Sequence, residues 1–439
     1  MWIPLVFITK TQPLVDHEFS RLGTIDSLGV RHNSYLEESR VHGSAARIDY
    51  KGHSYSHQPP LLSTLQAPVF WVLHQAGLNL WNSAPFDLAY LLFTWLTSGA
   101  ALALTVVVLD ATFRLGGVSA SLSAFSAIAL TLGTWLFPYA LVVNNHVVSG
   151  LLVACLAWTL LKIEKGYLSA GLMVTVGAII GLLITVEVIP AVSFVPITIA
   201  CLVMRPDVRS RPYVAALAGG AAVPLLAHAI INIGQTGDVI PGGFHSELFV
   251  YEGSKFDSTT LSGNMNHPSV REFADYAWRA LFSEKGYFSY APVPLVGALA
   301  GFLGWRWWSR YRMLHVVMLG GAVLSLFASL LMTNNFGGFA AGFRHATYLA
   351  PAFVVLLLPI LSTEARSARI VARVTLAAAV CSALFLAIVT APRPWYPYTF
   401  PPESPVLKSW DTYFPVVSHV LRRVNGDVDE FGKPITAAK

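Results

Sequence analysis

The chain has 439 residues, 54% of them hydrophobic and only 12% charged, with a formal net charge of +5. Soluble domains carry about 25% charged residues, so the composition excludes an ordinary soluble enzyme and indicates a membrane protein. The small positive balance reflects Lys and Arg in short loops rather than a nucleic-acid surface.

Long apolar runs such as LAYLLFTWLTSGAALALTVVVL (88–109) and LMVTVGAIIGLLIT (172–185) approach the roughly 20 residues a helix needs to cross a bilayer. Unpaired backbone amides are not tolerated in lipid, so these runs are predicted to be helices. About eleven spans are expected. They are residues 1–9, 87–109, 119–140, 147–162, 168–186, 190–204, 213–231, 290–305, 313–332, 347–361 and 370–391. The first is only about half a bilayer long, which favours a start upstream of Met1, and no signal-peptide pattern precedes the first loop. The fold class expected is an all-α polytopic membrane protein. It comprises a membrane domain, 1–391, and a Pro- and aromatic-rich tail, 392–439, that either packs on the outer interface or ends loosely.

Short links rich in Lys and Arg set the orientation. RLGG (114–117), KIEK (162–165), RPDVRSR (205–211), RWWSRYR (306–312) and EARSARIVAR (364–373) are expected on the cytoplasmic side. The extracytoplasmic set is then 10–86, 141–146, 187–190, 232–289, 333–346 and the tail, and every chemically suggestive stretch falls in it. A multi-pass protein of the plasma (inner) membrane is the expected setting.

In chain order, LVDHEFSRLG (14–23) comes first. Asp16 or Glu18 could act as general base or hold a divalent cation, or Asp16 could be an N-cap. Next, Lys51, His53, Tyr55, His57 and Gln58 precede Pro59–Pro60, which stiffen the backbone; they form either a shaped pocket or a plain turn. The LLSTLQAPVFWVLHQAGL segment after it has the apolar spacing of a helix lying in the interface. Asn144, Asn145 and His146 in YALVVNNHVVSG, and Glu187 in LLITVEVIP, bring polar groups to the membrane border. There they either serve function or snorkel to water. LFSEKGYFSYAPVP adds Lys285, Tyr287 and Tyr290. In MTNNFGGFAAGFRHATYLAP, Gly337, Gly338 and Gly342 permit a tight fold before Arg344–His345, and a guanidinium there suits either a substrate phosphate or a lipid headgroup. Cys155, Cys201 and Cys381 lie far apart in apolar runs and offer neither a disulfide framework nor metal spacing. No Walker loop, HExxH, GxSxG or Rossmann fingerprint competes.

An outer Asp-x-Glu after the first span, followed about forty residues later by a GxxYSxxPP-type turn, resembles the GT-C fold glycosyltransferases. These multi-span enzymes include the protein O-mannosyltransferases and the lipid A aminoarabinose transferases. LGTWLFPYALVVNNH, LLITVEVIP, LFSEKGYFSYAP and NNFGGFAAGFRHATYLAP extend the likeness from residue 14 to about 360. The resemblance implies inverting transfer of a sugar from a polyprenyl-phosphate donor to an extracytoplasmic acceptor, with membrane lipids as partners and no nucleic acid. Asp16 would be the base and Glu18 its companion. Tyr55, His57, Gln58, Lys285, Arg344 and His345 would face the donor phosphate, with Asn145, His146 and Glu187 lining the pocket. Relatives commonly carry an acid–Lys pair where this chain has His57–Gln58, so Lys51, His53, Lys285 or Arg344 would supply the cation. An acid is replaced by His146, which leaves any divalent cation unassigned. A transporter or flippase, and a non-catalytic assembly partner of the same fold, are the alternatives; the concentration of polar groups at one face argues against the first.

Overall fold

The computed structural model describes residues 8–13, 15–41, 43–44, 46–80, 86–254, 267–283, 285–304, 311–333, 340–391, 394 and 421–425. It is an almost entirely helical polytopic protein. After a short juxtamembrane helix α1 (Asp16–Asp26), the chain forms a hairpin of β1 (Arg47–Tyr50) and β2 (His53–Ser56). Helix α2 (Pro60–Gln75) follows and packs on α1. The bundle then runs through α3 (Leu88–Leu115), α4 (Ala120–Leu132), α5 (Asn145–Glu164), α6 (Ala170–Val186), α7 (Val188–Val203) and α8 (Arg211–Thr236). The outer helix α9 (Val270–Leu281) leads to α10 (Val293–Leu303), α11 (Arg312–Met332), α12 (Arg344–Ser362) and α13 (Arg366–Thr390).

Among the described residues, six of these helices, α3, α5, α8, α11, α12 and α13, are long and apolar enough to cross a membrane, and α4, α6, α7 and α10 are shorter apolar helices. They correspond to all the expected spans except 1–9, which falls almost wholly outside the described residues, as do Gly337, Gly338 and nearly all of the tail. Several boundaries shift from expectation, as where α3 runs on to Leu115 and α8 to Thr236, and two of the shifts bear on the site. The third span stops at Leu132, because Gly133 packs against the α13 backbone at Ala379 and the chain turns through a short helix, Leu136–Tyr139. The tenth opens as a 3-10 turn, Arg344–Leu349, and is the most buried of the six, 78% against 17% for α8. Helix α12 is therefore the central post, and α8 faces outward.

Sequence reading assigned no strand to the first loop. The hairpin forms because Lys51 and Gly52 both adopt positive φ, the conformation of a two-residue type I′ turn that matches the twist of paired strands. Its register pairs Ile48 with Tyr55, and both bury inward. Helices α6 and α8 meet backbone to backbone: a Cβ on Gly177 would collide with the Leu217 carbonyl, and one on Gly220 with that of Val174. Small residues at such contacts allow the close van der Waals packing that holds helices together in lipid.

Buried hydroxyls close on their own helices, as in Thr105 to the Ala101 carbonyl (2.8 Å) and Thr198 to that of Phe194 (2.7 Å), leaving no polar group facing lipid there. The basic links gather at one end of the bundle. Glu164 at the end of α5 accepts from the amides of Met313 (2.6 Å) and Leu314 (3.2 Å) at the start of α11, and Arg205 reaches the Ile163 carbonyl (3.4 Å). The candidate site is at the opposite end. Gly177→Val should force α6 and α8 apart at a cost of about 1–3 kcal/mol. A lowered Tm of the purified protein in detergent would register it, and an unchanged Tm would contradict the close contact.

Candidate functional site

Four segments far apart in sequence meet at that end: α1, the turn after β2, the elbow regions at the starts of α5 and α7, and the 3-10 opening of α12. Arg344 is placed by a clamp on its own backbone. Gly342 has φ +67, and a Cβ there would lie 2.8 Å from the Trp135 ring, so only glycine fits. Carbonyls on either side are taken up by side chains: Lys285 Nζ donates to Ala340 (2.7 Å), Tyr139 to Ala341 (2.6 Å) and Tyr287 to Ala346 (2.9 Å). The segment is thus fixed from the α9–α10 and α4–α5 links, and Arg344 projects from a rigid frame.

Helix α1 supplies the facing wall. Ser20 Oγ donates to the Ala46 carbonyl (2.6 Å) and lies 2.7 Å from Ser56 Oγ, tying the helix to the hairpin. Glu18 accepts from the Tyr90 hydroxyl (2.6 Å) and the Val143 amide (3.1 Å), tying it to α3 and to the segment before α5. The Asn144 side chain caps α5, accepting from the His146 amide (2.6 Å), while the backbone N–H of Asn144 donates to Ser98 Oγ in a π-helical turn of α3 (3.0 Å). Glu187 is a single extended residue between α6 and α7 (φ −157°, ψ 124°), and its Oε1 lies 2.7 Å from His146 Nδ1.

A cavity of about 310 Å³ opens between these elements, at the small end of the range for ligand sites. Gln58 sits at the centre of its polar wall. Its Oε1 accepts from Arg21 (3.2 Å), and its Nε2 lies 2.7 Å from His57 Nε2 and 3.1 Å from His17 Nδ1. His57 Nδ1 donates to the Ala46 carbonyl (2.8 Å), so its Nε2 is the acceptor for Gln58. His17 then bridges onward, with Nε2 3.2 Å from an Arg344 guanidinium nitrogen. A neutral imidazole carries one N–H, so His17 cannot accept at both nitrogens, and one of its two contacts sets donor against donor. The wall holds more donors than acceptors, which is the composition of an anion site.

Electrostatics agree. Burial, followed by the charge of Arg344 and the His57, His345 and Arg21 groups, holds His17 well below the usual imidazole range. Burial pulls His57 down to about 4 against the opposing Ala46 hydrogen bond, with Arg21 and Arg344 adding to the effect. Arg21 is lowered by burial to about 10, with Glu187 opposing, and stays charged at neutral pH. Both histidines are therefore neutral, and the two guanidiniums face one carboxylate, Glu187, across the described cavity wall.

The structure brings together His57, Gln58, Arg344, His345, Asn145, His146 and Glu187 around this cavity, and leaves four predicted residues outside its lining. Asp16 is exposed in the first turn of α1, whose N-cap is Val15, so the capping reading is corrected. Glu18 is buried behind α1 as the brace just described. Tyr55 packs inside the hairpin against Tyr35, and Lys285 serves the Arg344 segment. Sequence reasoning missed His17 and Arg21 as site residues. Their signal was helical spacing, since residues four apart share a face. Among the described residues no group of three or more His, Cys, Asp or Glu side chains could hold a metal ion. One carboxylate beside two guanidiniums does not fit a hard divalent cation, which takes several oxygen ligands.

No protein-family model matches the chain, and no curated protein matches it. Solved structures do. ArnT from Cupriavidus metallidurans bound to undecaprenyl phosphate matches with a TM-score of 0.53 at 14% identity, over 89% of this chain and 63% of ArnT. The same enzyme in the apo state matches with a TM-score of 0.50 at 13% identity, over 89% and 63% of the two chains. The chain thus has the GT-C fold and spans about 63% of the length of ArnT.

A His57 that is neutral when folded but titrates near 6.5 when unfolded binds fewer protons in the native state. Stability from this group is full above pH 6.5 and falls as pH drops towards 4, with a limiting slope of about 1.4 kcal/mol per pH unit. Thermal melts between pH 7.5 and 4.5 should show the decline, and His57→Asn should make it shallower while the depressed His17 keeps part of it.

Proposed function

We propose that the protein transfers a sugar from a polyprenyl-phosphate donor to an acceptor on the extracytoplasmic side of the membrane. The observation that carries this reading is the pair of guanidiniums, buried Arg21 and half-buried Arg344, that line one cavity with Gln58 and His17 between them at the mouth of an apolar bundle. The described lining sets two cations near one carboxylate, Glu187, and a bound anion would favour such a cluster. A phosphate on a lipid tail meets both requirements, because its charge pairs with the arginines and its chain lies among the helices. ArnT, whose fold this chain shares, is bound to undecaprenyl phosphate in one of the matching structures, which points the same way. The basic links at the far end of the bundle favour an outward-facing cavity by the positive-inside rule.

In this reading the missing lysine at Gln58 is replaced by Arg21, which approaches from the neighbouring helix and hydrogen-bonds the amide standing in the lysine's place. Breaking the C1–O bond to phosphate concentrates negative charge on the leaving oxygen. Fixed donors aimed at that charge in a site shielded from water stabilise the transition state without reorganising. Arg344, clamped through its backbone, supplies such a donor, and a single displacement gives inversion at C1. His345 and Asn145 complete the wall around the sugar.

Arg344→Gln should lower release of polyprenyl phosphate from a polyprenyl-phosphate sugar by about 10²–10³-fold. The same variant should weaken binding of undecaprenyl phosphate to the purified protein. Wild-type protein that fails to bind undecaprenyl phosphate at all would remove the reading.

A further inference from the structure

The proposed transfer needs a group to take the acceptor's proton, and the acid implied by resemblance, Asp16, is exposed outside the cavity lining. The geometry points to His146 as the general base, with Glu187 as the residue that positions it; this rests on the transferase reading above. Both side chains are about nine-tenths buried and line the cavity that Arg21 and Arg344 share. The 2.7 Å contact with Glu187 Oε1 fixes the tautomer, because a carboxylate can only accept and Nδ1 must therefore carry the hydrogen. Nε2 is left as the bare nitrogen, and no protein group among the described residues hydrogen-bonds it. The ring is held further by the edge of His345, 6.0 Å between centroids at 82°, and by the start of α5 capped through Asn144.

The second Glu187 oxygen, Oε2, is buried with no hydrogen-bond partner among the described residues. A carboxylate left half-satisfied in a place shielded from water is costly while its neighbour is a neutral imidazole. It becomes a favourable partner once that imidazole gains a proton. A base oriented by an acceptor-only group is the arrangement that serves nucleophile activation on unrelated folds.

The step balances. The acceptor's hydroxyl oxygen bonds to sugar C1 as the C1–O(phosphate) bond breaks. That bond's electron pair leaves with the polyprenyl phosphate, and the hydroxyl proton passes to His146 Nε2. The dyad stands on α5 and the α6–α7 elbow, whereas the guanidiniums stand on α1 and α12. Base and leaving-group donors thus come from different elements of one cavity. The other charged or titratable groups lining it are His17, Arg21, His57, Arg344 and His345.

The test uses the full-length protein and a set of polyprenyl-phosphate hexoses and pentoses, with release of polyprenyl phosphate as the readout. In membranes that supply acceptor, His146→Gln should lose about 10²–10⁴-fold in turnover while binding undecaprenyl phosphate as wild type does. Azide is a nucleophile that carries no proton and needs no base, so it should restore donor cleavage in purified His146→Ala but not in Arg344→Gln. Glu187→Gln should move the acid limb of the pH–rate profile to lower pH, as the imidazolium loses its carboxylate partner. A His146→Gln enzyme that keeps its turnover, or a His146→Ala enzyme that binds undecaprenyl phosphate but is not rescued by azide, overturns the assignment. So does loss of the acid limb in Asp16→Asn with its retention in His146→Gln. Wild-type protein that does not bind undecaprenyl phosphate overturns the transferase reading and this assignment together, which separates the two failures.

Discussion

The structure turns on the convergence at His17, which stands 3.1 Å from Gln58 and 3.2 Å from Arg344, partners 41 and 327 residues away in sequence. It joins a juxtamembrane helix to the N-terminus of the most buried span. The two guanidiniums line one poorly solvated cavity there, where like charges are tolerable only beside an opposite charge. Among the described lining residues Glu187 is the carboxylate that opposes them, and an anionic ligand would add to that compensation.

Much of the remaining architecture serves to hold this convergence in place. Lys285, Tyr139 and Tyr287 occupy carbonyls around Arg344, and Glu18 fastens α1 to the segment that carries Asn144 and His146. Residues that looked chemically active in sequence thus act on the backbone, one layer behind the cavity. This division is expected near a membrane border, where irregular backbone must satisfy its own polar groups before a side chain can be presented accurately.

The cavity has two walls of different character. The α1–α12 wall is rich in donors, the composition the proposed phosphate leaving group would need. The α5–α7 wall carries a carboxylate and a histidine, the pair to which proton transfer is assigned in the proposal. The carboxylate stands on the opposite wall from the guanidiniums yet near enough to oppose the burial-driven lowering of Arg21.

Hydropathy made the spans legible from sequence, because crossing a bilayer requires a run of apolar residues and that is a local property. The basic links and the one-sided distribution of polar turns were legible for the same reason, as were Arg344, His57 and Gln58 through the blocks that resemble GT-C enzymes. The hairpin was not, since Lys51 is a poor signal for a type I′ turn. Nor was the choice among neighbours on α1: Asp16, His17, Glu18 and Arg21 all stand within two turns, and only packing against α2, α3 and the hairpin decides which face meets the cavity. Helical rotation sends Asp16 to solvent and Glu18 to Tyr90, and it brings His17 and Arg21 together, one turn apart, to meet Gln58. Sequence alone determined where the chain crosses the membrane and which turns are polar. The tertiary structure decided which of those polar groups converge, because convergence depends on helix rotation and lateral contact, and neither is encoded in any local run of residues.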